Sequence, residues 1–427
     1  MHKMVTETVE AARGAPFHGW HVVGGAFVLA MFGWGVGFYG PPVYLHAVRD
    51  ATGWPLALVS TAVTVHFLIG AVVVANLPAL HRRFGVAATT KAGALALAVG
   101  VGGWAVAAEP WQLLPALVLS GAGWAATSAA AINAIVSPWF VRRRPAALAM
   151  AYNGASVGGI VFSPLWVAAI GALGFPVAAA AVGAVMALTV WVVADLLFTR
   201  TPQQMGLAPD GDAPTRQPRP ADAPSRPRPP SGAPLWRDLR LPTLAAAMAL
   251  GLFAQIGLIA HLFSLLVPAF GAQLAGVAMG AATAAAIAGR TLVGALMPPG
   301  ADRRLVAALS YAVQIAGSAA FILAAGGSVP LLIVGVVLFG AGIGNATSLP
   351  PVIAQAEFAE EDVARVVALV VAVAQGVYAF APAAFGLIRD LAPHAPEMHP
   401  GAAPCLFAAA ALVQALAIAA LLAGRRR

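Results

Sequence analysis

Arg290 is the residue of this chain whose presence most needs a chemical reason. It stands in the apolar run Ala281-Ala-Thr-Ala-Ala-Ala-Ile-Ala-Gly-Arg290-Thr-Leu-Val-Gly294, with no Asp or Glu within ten positions on either side. A guanidinium at membrane depth costs about 2.5–3.5 kcal/mol on insertion scales, so it normally faces a bundle interior or a wet cavity. Its planar fork matches a carboxylate through two charge-assisted hydrogen bonds. The chemistry it offers is therefore anion binding. The structural alternative is an arginine whose stem reaches to the membrane surface, or one that caps another helix's carbonyls. Reaching Asp302 along one continuous helix would take twelve residues, about 18 Å.

His66 and His261 are the other titratable groups at depth. A histidine can carry a coupling proton, because its reference pKa of about 6.5 needs little shifting to titrate near neutrality. The alternative is a neutral ring bonded to a carbonyl or hydroxyl of a facing helix. No Asp or Glu lies inside an apolar run, since Glu109 and Asp195 fall at run ends. A proton would then travel on a histidine or on the substrate. Trp34-Gly-Val-Gly-Phe-Tyr39-Gly-Pro-Pro42-Val-Tyr44 joins aromatic rings to helix-bending Gly and Pro, which a membrane helix tolerates where a cavity or neighbour satisfies the backbone. It reads as a mobile outer gate, with Tyr39 a pocket donor and Tyr44 part of an interfacial aromatic belt. Asn133, Asn153, Gln255, Asn345, Gln375 and Tyr378 are polar groups in apolar surroundings, each costly unless paired. Helix-to-helix hydrogen bonding competes with a pocket role for all of them, and Asn345, ahead of Pro350-Pro351, suits a kink. No phosphate loop, zinc spacing, catalytic triad or dinucleotide fingerprint occurs. The expectation is a chain that is not an enzyme, holds no metal or other cofactor and uses no nucleotide directly.

The elements that position these groups follow from composition. Of 427 residues, 60% are hydrophobic and 9% charged, against roughly 25% charged in soluble domains. This is an all-α integral membrane protein. A single cysteine, Cys405, rules out an internal disulfide. A β-barrel is excluded, because no period-two alternation appears. Twelve apolar stretches are long enough for a hydrocarbon core of ~30 Å: 20–45, 56–80, 88–107, 111–137, 145–168, 174–197, 241–267, 272–297, 304–325, 329–352, 364–388 and 403–424. Small residues such as Gly154, Gly158 and Gly159 allow close helix approach in lipid. With both termini inside, 21 of the 24 Lys and Arg fall on the cytoplasmic side, leaving Arg49, Arg389 and the intramembrane Arg290. The positive-inside pattern accounts for the net charge of +8 through topology and anionic lipid, without a nucleic-acid partner. The acidic loop Glu357–Asp362 is expected to be solvated or to pair with cytoplasmic arginines such as Arg365. Residues 199–240 are poor in large apolar side chains, with eight prolines between Pro214 and Pro234. They read as a disordered or extended cytoplasmic linker between six-helix halves at 1–198 and 241–427. A basic turn follows the second span of each half, His81-Arg82-Arg83-Phe84-Gly85 and Asp302-Arg303-Arg304, which suggests an internal repeat.

Six plus six spans, a polar linker and basic turns after spans two and eight resemble the major facilitator superfamily over essentially the whole chain. That family's loop signature is roughly Gly-x-x-x-Asp-Arg-x-Gly-Arg-Arg. In the first copy Arg82 replaces the aspartate and Arg83-Phe84-Gly85 remains, while the second keeps Asp302-Arg303-Arg304 without the glycine. The resemblance makes Arg83, Gly85, Asp302, Arg303 and Arg304 gating residues and implies two six-helix pseudo-repeats that rock around a central site. Trp139-Phe-Val-Arg-Arg-Arg-Pro145, running into Asn153-Gly-Ala-Ser-Val-Gly-Gly159, looks like the span four to five junction. Gly289-Arg290-x-x-x-Gly294 looks like span eight of the monocarboxylate-transporter and oxalate/formate-antiporter branch, where an arginine pairs with the substrate carboxylate. The oxalate exchangers add a lysine on span eleven, where this chain has Gln375 and Tyr378. The resemblance thus implies a singly charged organic anion, held by Arg290 with Tyr39, His66, Gln255, His261, Tyr378, Gln375 and Asn153, and protons as a candidate coupling ion. A monomer in a bacterial inner membrane is the expected setting. Export of an amphipathic compound and a transporter-like sensor are the competing readings. A lone buried cation argues against cationic drugs.

Overall fold

A computed structural model of the chain describes residues 17–211, 235–298, 300–392 and 398–425. They form helices and connecting turns without strands. The long apolar helices are α1 (His18–Thr52), α2 (Leu56–Phe84), α3 (Val86–Val106), α4 (Pro110–Trp139), α5 (Ala146–Leu173) and α6 (Phe175–Phe198). They continue with α7 (240–270), α8 (272–296), α9 (Arg303–Ala324), α10 (Val329–Glu357), α11 (Arg365–Leu391) and α12 (Pro404–Ala423). The stretch Arg240–Leu296 is helical over 57 residues, which would extend about 85 Å if straight, far beyond one ~30 Å core. Gly271 breaks it with φ 72° and ψ 163°. Gly85 (φ 82°, ψ 158°) and Gly174 (φ 76°, ψ 157°) turn the chain in nearly the same way between α2 and α3 and between α5 and α6. An L side chain is strained in that region, so one glycine reverses the helix direction where a longer loop would otherwise be needed. The fold is the expected twelve-span helical membrane protein.

Arginines 82, 83, 142–144, 303 and 304 mark one face, here called the basic end, and the turns at 53–55, 174 and 271 mark the far end. Part of the linker expected to be disordered or extended is instead folded against the basic end. Residues 203–205 and 209–211 are short helical turns. Asp210 accepts hydrogen bonds from the Val141, Arg142 and Arg143 amides at 2.9–3.1 Å. Residues 212–234 of that linker lie outside the described residues.

α1 is bent, and the bend decides what several polar side chains do. Helical geometry stops at Gly37 and resumes at Pro41. Tyr39 N–H bonds back to Trp34 O, and Pro41 has no N–H to give. The carbonyls of Gly35, Val36 and Gly37 thereby lose their ordinary helical donors. Three side chains take them up: Trp166 Nε1–H of α5 donates to Gly35 O at 3.1 Å, Tyr44 O–H to Val36 O at 3.1 Å, and His66 Nε2–H of α2 to Gly37 O at 3.0 Å. Tyr44 is therefore 1% exposed inside the bundle, not in an interfacial belt.

The two six-helix groups meet along three seams, α2 with α11, α5 with α8, and the far tip of α1 with α7. Their named contacts lie toward the far end. Asp390 Oδ2 accepts from Ala57 N–H at 2.8 Å, Thr64 Oγ1 accepts from Ala383 N–H at 3.0 Å, and His46 stacks edge-on to Phe263. α11 is interrupted after Tyr378 and resumes at Ala381, and the first turns of α2 and of this second segment are each capped by the opposite helix, satisfying amides that would otherwise be orphaned. The close α5–α8 glycine contacts run from Gly276 to the Gly159–Thr283 level, and the space between the halves on the basic side of that level is here called the cleft.

Candidate functional site

The α5–α8 seam fixes where Arg290 sits. Gly276 of α8 lies on Pro164 and Val167 of α5, and Gly280 lies on Ile160. Thr283 meets Gly159, where an added Cβ would come within 2.6 Å of the Tyr39 ring and 2.8 Å of the Thr283 methyl. Seven residues are close to two helical turns, so 276, 283 and 290 share one face of α8, and 167, 160 and 153 one face of α5. Continuing the antiparallel register brings Arg290 opposite Asn153 on the basic side of the Gly159–Thr283 level. Asn153 is exposed there and Arg290 half-buried. The Tyr39 phenol hydrogen-bonds with Thr283 and lies in the field of the Arg290 guanidinium. Tyr39, Thr283 and Gly159 thus roof the cleft, with Arg290 two turns below.

Among the described residues Arg290 has no ion pair and no hydrogen-bonded side-chain partner. α8 ends at Leu296, about 9 Å beyond Arg290 at 1.5 Å per residue, half the path expected for a continuous helix. The base of the side chain nevertheless packs inward. A Cβ at Gly344 of α10 would come within 3.0 Å of Arg290 Cβ, so the base of the side chain lies against α10.

The other expected site residues divide into two groups. Gln375 and Tyr378 are half-buried on α11, and Tyr378 meets Phe67 of α2 across the seam with ring centroids 6.5 Å apart. Phe67 in turn meets Phe38 beside Tyr39, which links Tyr378 to the Tyr39–Thr283 contact. Gln255 is 3% exposed in α7, its Oε1 buried without a partner. The two histidines are elsewhere. His66 is 1% exposed, with Nε2 on Gly37 O and Nδ1 2.9 Å from Ser120 Oγ. The Gly37 carbonyl can only accept, so Nε2 carries a hydrogen, and Nδ1 is engaged by the Ser120 hydroxyl. Held from both nitrogens, His66 braces the α1 bend. His261 is fully buried at the far end, donating through Nε2 to Pro382 O at 3.0 Å. Its Nδ1 has no partner, but it lies within the α7–α11 contact and off the cleft.

The expected gating residues are at the basic end. Asp302 caps α9 by accepting from Leu305 N–H at 3.0 Å and pairs with Arg425 at 2.6 Å. Arg304 is 1% exposed and grips Glu357 of α10 with two bonds of 2.7 and 2.8 Å. It also donates to Thr243 Oγ1 and to Arg240 O, tying α7, α9 and α10 together. Glu357 thus pairs with an arginine of the basic end, Arg304, the kind of partner of which Arg365 was the example. Arg303 is half-buried. In the first copy Gly85 supplies the positive-φ turn, and Arg83 is exposed over its neighbour Phe84 at 5.2 Å. Sequence reading missed Thr283, whose hydroxyl looked like one more ordinary helix residue. It also missed Asp390, whose partner Ala57 is 333 positions away. The seven-residue spacing from Gly276 to Arg290 was the available signal for Thr283.

A family model described as Major Facilitator Superfamily matches residues 23–382. No curated protein sequence matches the chain. Among solved structures, a bacterial homolog of the human lysosomal transporter Spinster, inward-facing and occupied, superposes with a TM-score of 0.69. It is 14% identical, covering 96% of this chain and 97% of that one. The nucleoside transporter NupG has a TM-score of 0.68 at 12% identity, covering 96% and 98%. At such identities the likeness is one of fold.

Proposed function

The chain belongs to the major facilitator superfamily, and from that premise we propose that it carries a small organic anion with one carboxylate across a bacterial inner membrane by alternating access. Family and structural neighbours both point to a non-enzymatic transporter. The observation that carries the substrate reading is Arg290: a fixed positive charge on the cleft face, unpaired among the described residues, opposite Asn153 and below Tyr39. A carboxylate there would take both arms of the guanidinium and remove the cost of an uncompensated charge. A neutral cargo, such as the nucleosides named for NupG, would leave that charge unanswered. The match of Gly289-Arg290-x-x-x-Gly294 to the monocarboxylate branch supports the same reading, and Gln375 and Tyr378 in place of a cation on α11 favour one carboxylate over two.

The positive-inside pattern orients the basic end, and both termini, toward the cytoplasm. The cleft is then inward-facing, closed at its outer end by the α2–α11 and α5–α8 seams. Residues 1–198 and 241–427 would rock as two halves joined by the linker at 199–240, with the Asp302–Arg304 and Arg83–Gly85 turns at the hinge of the inner gate. With His66 and His261 both engaged in packing contacts, a proton would travel on the substrate carboxyl, or transport would be anion exchange. Uptake of labelled monocarboxylates into proteoliposomes, with and without an imposed pH gradient, tests the proposal. Arg290→Ala should abolish uptake, and Arg290→Lys should retain only a small part, because an ammonium cannot reproduce the two-armed contact. Undiminished uptake in both variants would reject the anion site.

A further inference from the structure

α1 presents a wall to the cleft whose chemistry restricts what can accompany the carboxylate. Its other sides are covered: Gly33 and Gly37 lie on Thr127 and Trp124 of α4, Gly35 on Phe162 of α5, and Gly25 on Val193 and Leu197 of α6. The partly exposed positions that remain, 24, 27, 28, 31, 34 and 38, recur at helical spacing. Where this stripe ends, Tyr39 lies against Thr283 of the opposite half, and Phe38 against Phe67, which meets Tyr378 of that half, so the upper end of the stripe faces the opposite half. From Val22 to Phe38 it offers no hydroxyl, amide or charge. At its upper end the wall is aromatic. Phe38 lies 5.1 Å from Tyr39 and 6.0 Å from Phe67, and Trp34 stacks edge-on to Trp124 at 4.9 Å. Phe67 continues the surface to Tyr378 on α11.

Resting on the reading of Arg290 above, we infer that the cargo is a ring-bearing monocarboxylate, its carboxylate on Arg290 and its ring against Trp34 and Phe38. A two- or three-carbon acid would satisfy Arg290 yet leave this wall wet. An aryl or cyclic body removes both its own apolar surface and that of the wall from water, and its ring edge or face meets Phe38 in the offset or edge-on geometries that aromatic pairs prefer. Trp34 and Phe38 are thus specificity-determining residues, separable from the charge that holds the acid.

The test is binding to the purified full-length protein, by calorimetry and by ligand-dependent thermal stabilisation, with acetate, lactate, benzoate, 3-phenylpropionate, cyclohexanecarboxylate and uncharged benzamide as probes. The ring acids should bind roughly 10-fold or more tightly than acetate, the factor expected for burying one ring's worth of apolar surface. Phe38→Leu and Trp34→Leu, which keep an apolar side chain and remove the ring, should shrink that ratio while leaving acetate affinity unchanged. Their melting temperatures in the absence of ligand show whether the fold is intact. Equal affinity for acetate, lactate and the ring acids, all lost in Arg290→Ala, would overturn the inference and leave the anion site standing. Benzamide binding as well as benzoate, indifferent to Arg290→Ala, would overturn the anion site. No binding of any acid would overturn both.

Discussion

At the scale of single residues, two arginines show how the same side chain serves opposite ends. Arg304 is enclosed and paired with Glu357, whereas Arg290 is half-buried and unpaired among the described residues. Removing one partner of a buried pair leaves the other charge uncompensated and costs about 3–5 kcal/mol. Arg304→Ala should therefore lower the melting temperature sharply, while Arg290→Ala should stay within about 0.5 kcal/mol of wild type. Thermal denaturation of both variants in the same detergent checks the contrast, and equal destabilisation would contradict it. Arg290 was legible in the sequence because its cost in lipid stands out in an apolar run. The role of His66 was not, because nothing in the run around position 66 shows that Gly37, 29 residues earlier, has a carbonyl to offer. His66→Leu should cost about 1–3 kcal/mol by stranding Gly37 O and Ser120. It should leave the pH dependence of uptake unaltered, and a changed pH profile with normal stability would restore His66 as a proton carrier.

At the scale of helices, the spans were readable to within a few residues because hydropathy alone sets their lengths. The exception was α1, carried on to Thr52 through its bend; the break at Gly271 falls between the expected spans 241–267 and 272–297. What could not be read was how helix ends find caps on the other half of the molecule. The α2–α11 seam is held reciprocally, by Asp390 on the first turn of α2 and by Thr64 on Ala383 N–H. An N-cap replaced by Ala typically costs about 0.5–2 kcal/mol, enough to shift a two-state balance about twofold to about 30-fold. Asp390→Ala should accordingly populate conformations open at the far end. Spin labels on the far tips of α2 and α11 would report a longer distance component. An unchanged distance distribution would show that the seam closes without this cap.

At the scale of the whole molecule, the linker is the feature the sequence described least well. Its composition announced disorder, yet the Asp210 side chain is 3% exposed and sits in a nest of three amides at the α4–α5 turn, 67 to 69 positions away. Burial works against the Asp210 charge. The amides of Arg142, Arg143 and Val141 and the Arg142 guanidinium outweigh it and hold the carboxyl below its ordinary 3.8. A depressed carboxylate contributes stability that is fully present above the ordinary value and disappears as pH falls through the lowered one. The melting-temperature difference between wild type and Asp210→Asn should therefore be constant above about pH 4 and shrink below it; a difference that grew on acidification would contradict the docking. The proposed function makes Arg290 the group that meets the cargo. Equilibrium binding of a labelled monocarboxylate to wild type, Arg290→Lys and Arg290→Ala tests this most directly. Saturable binding in wild type, weakened at least tenfold by Lys and absent with Ala, is the predicted result. Equal binding by all three proteins would contradict it.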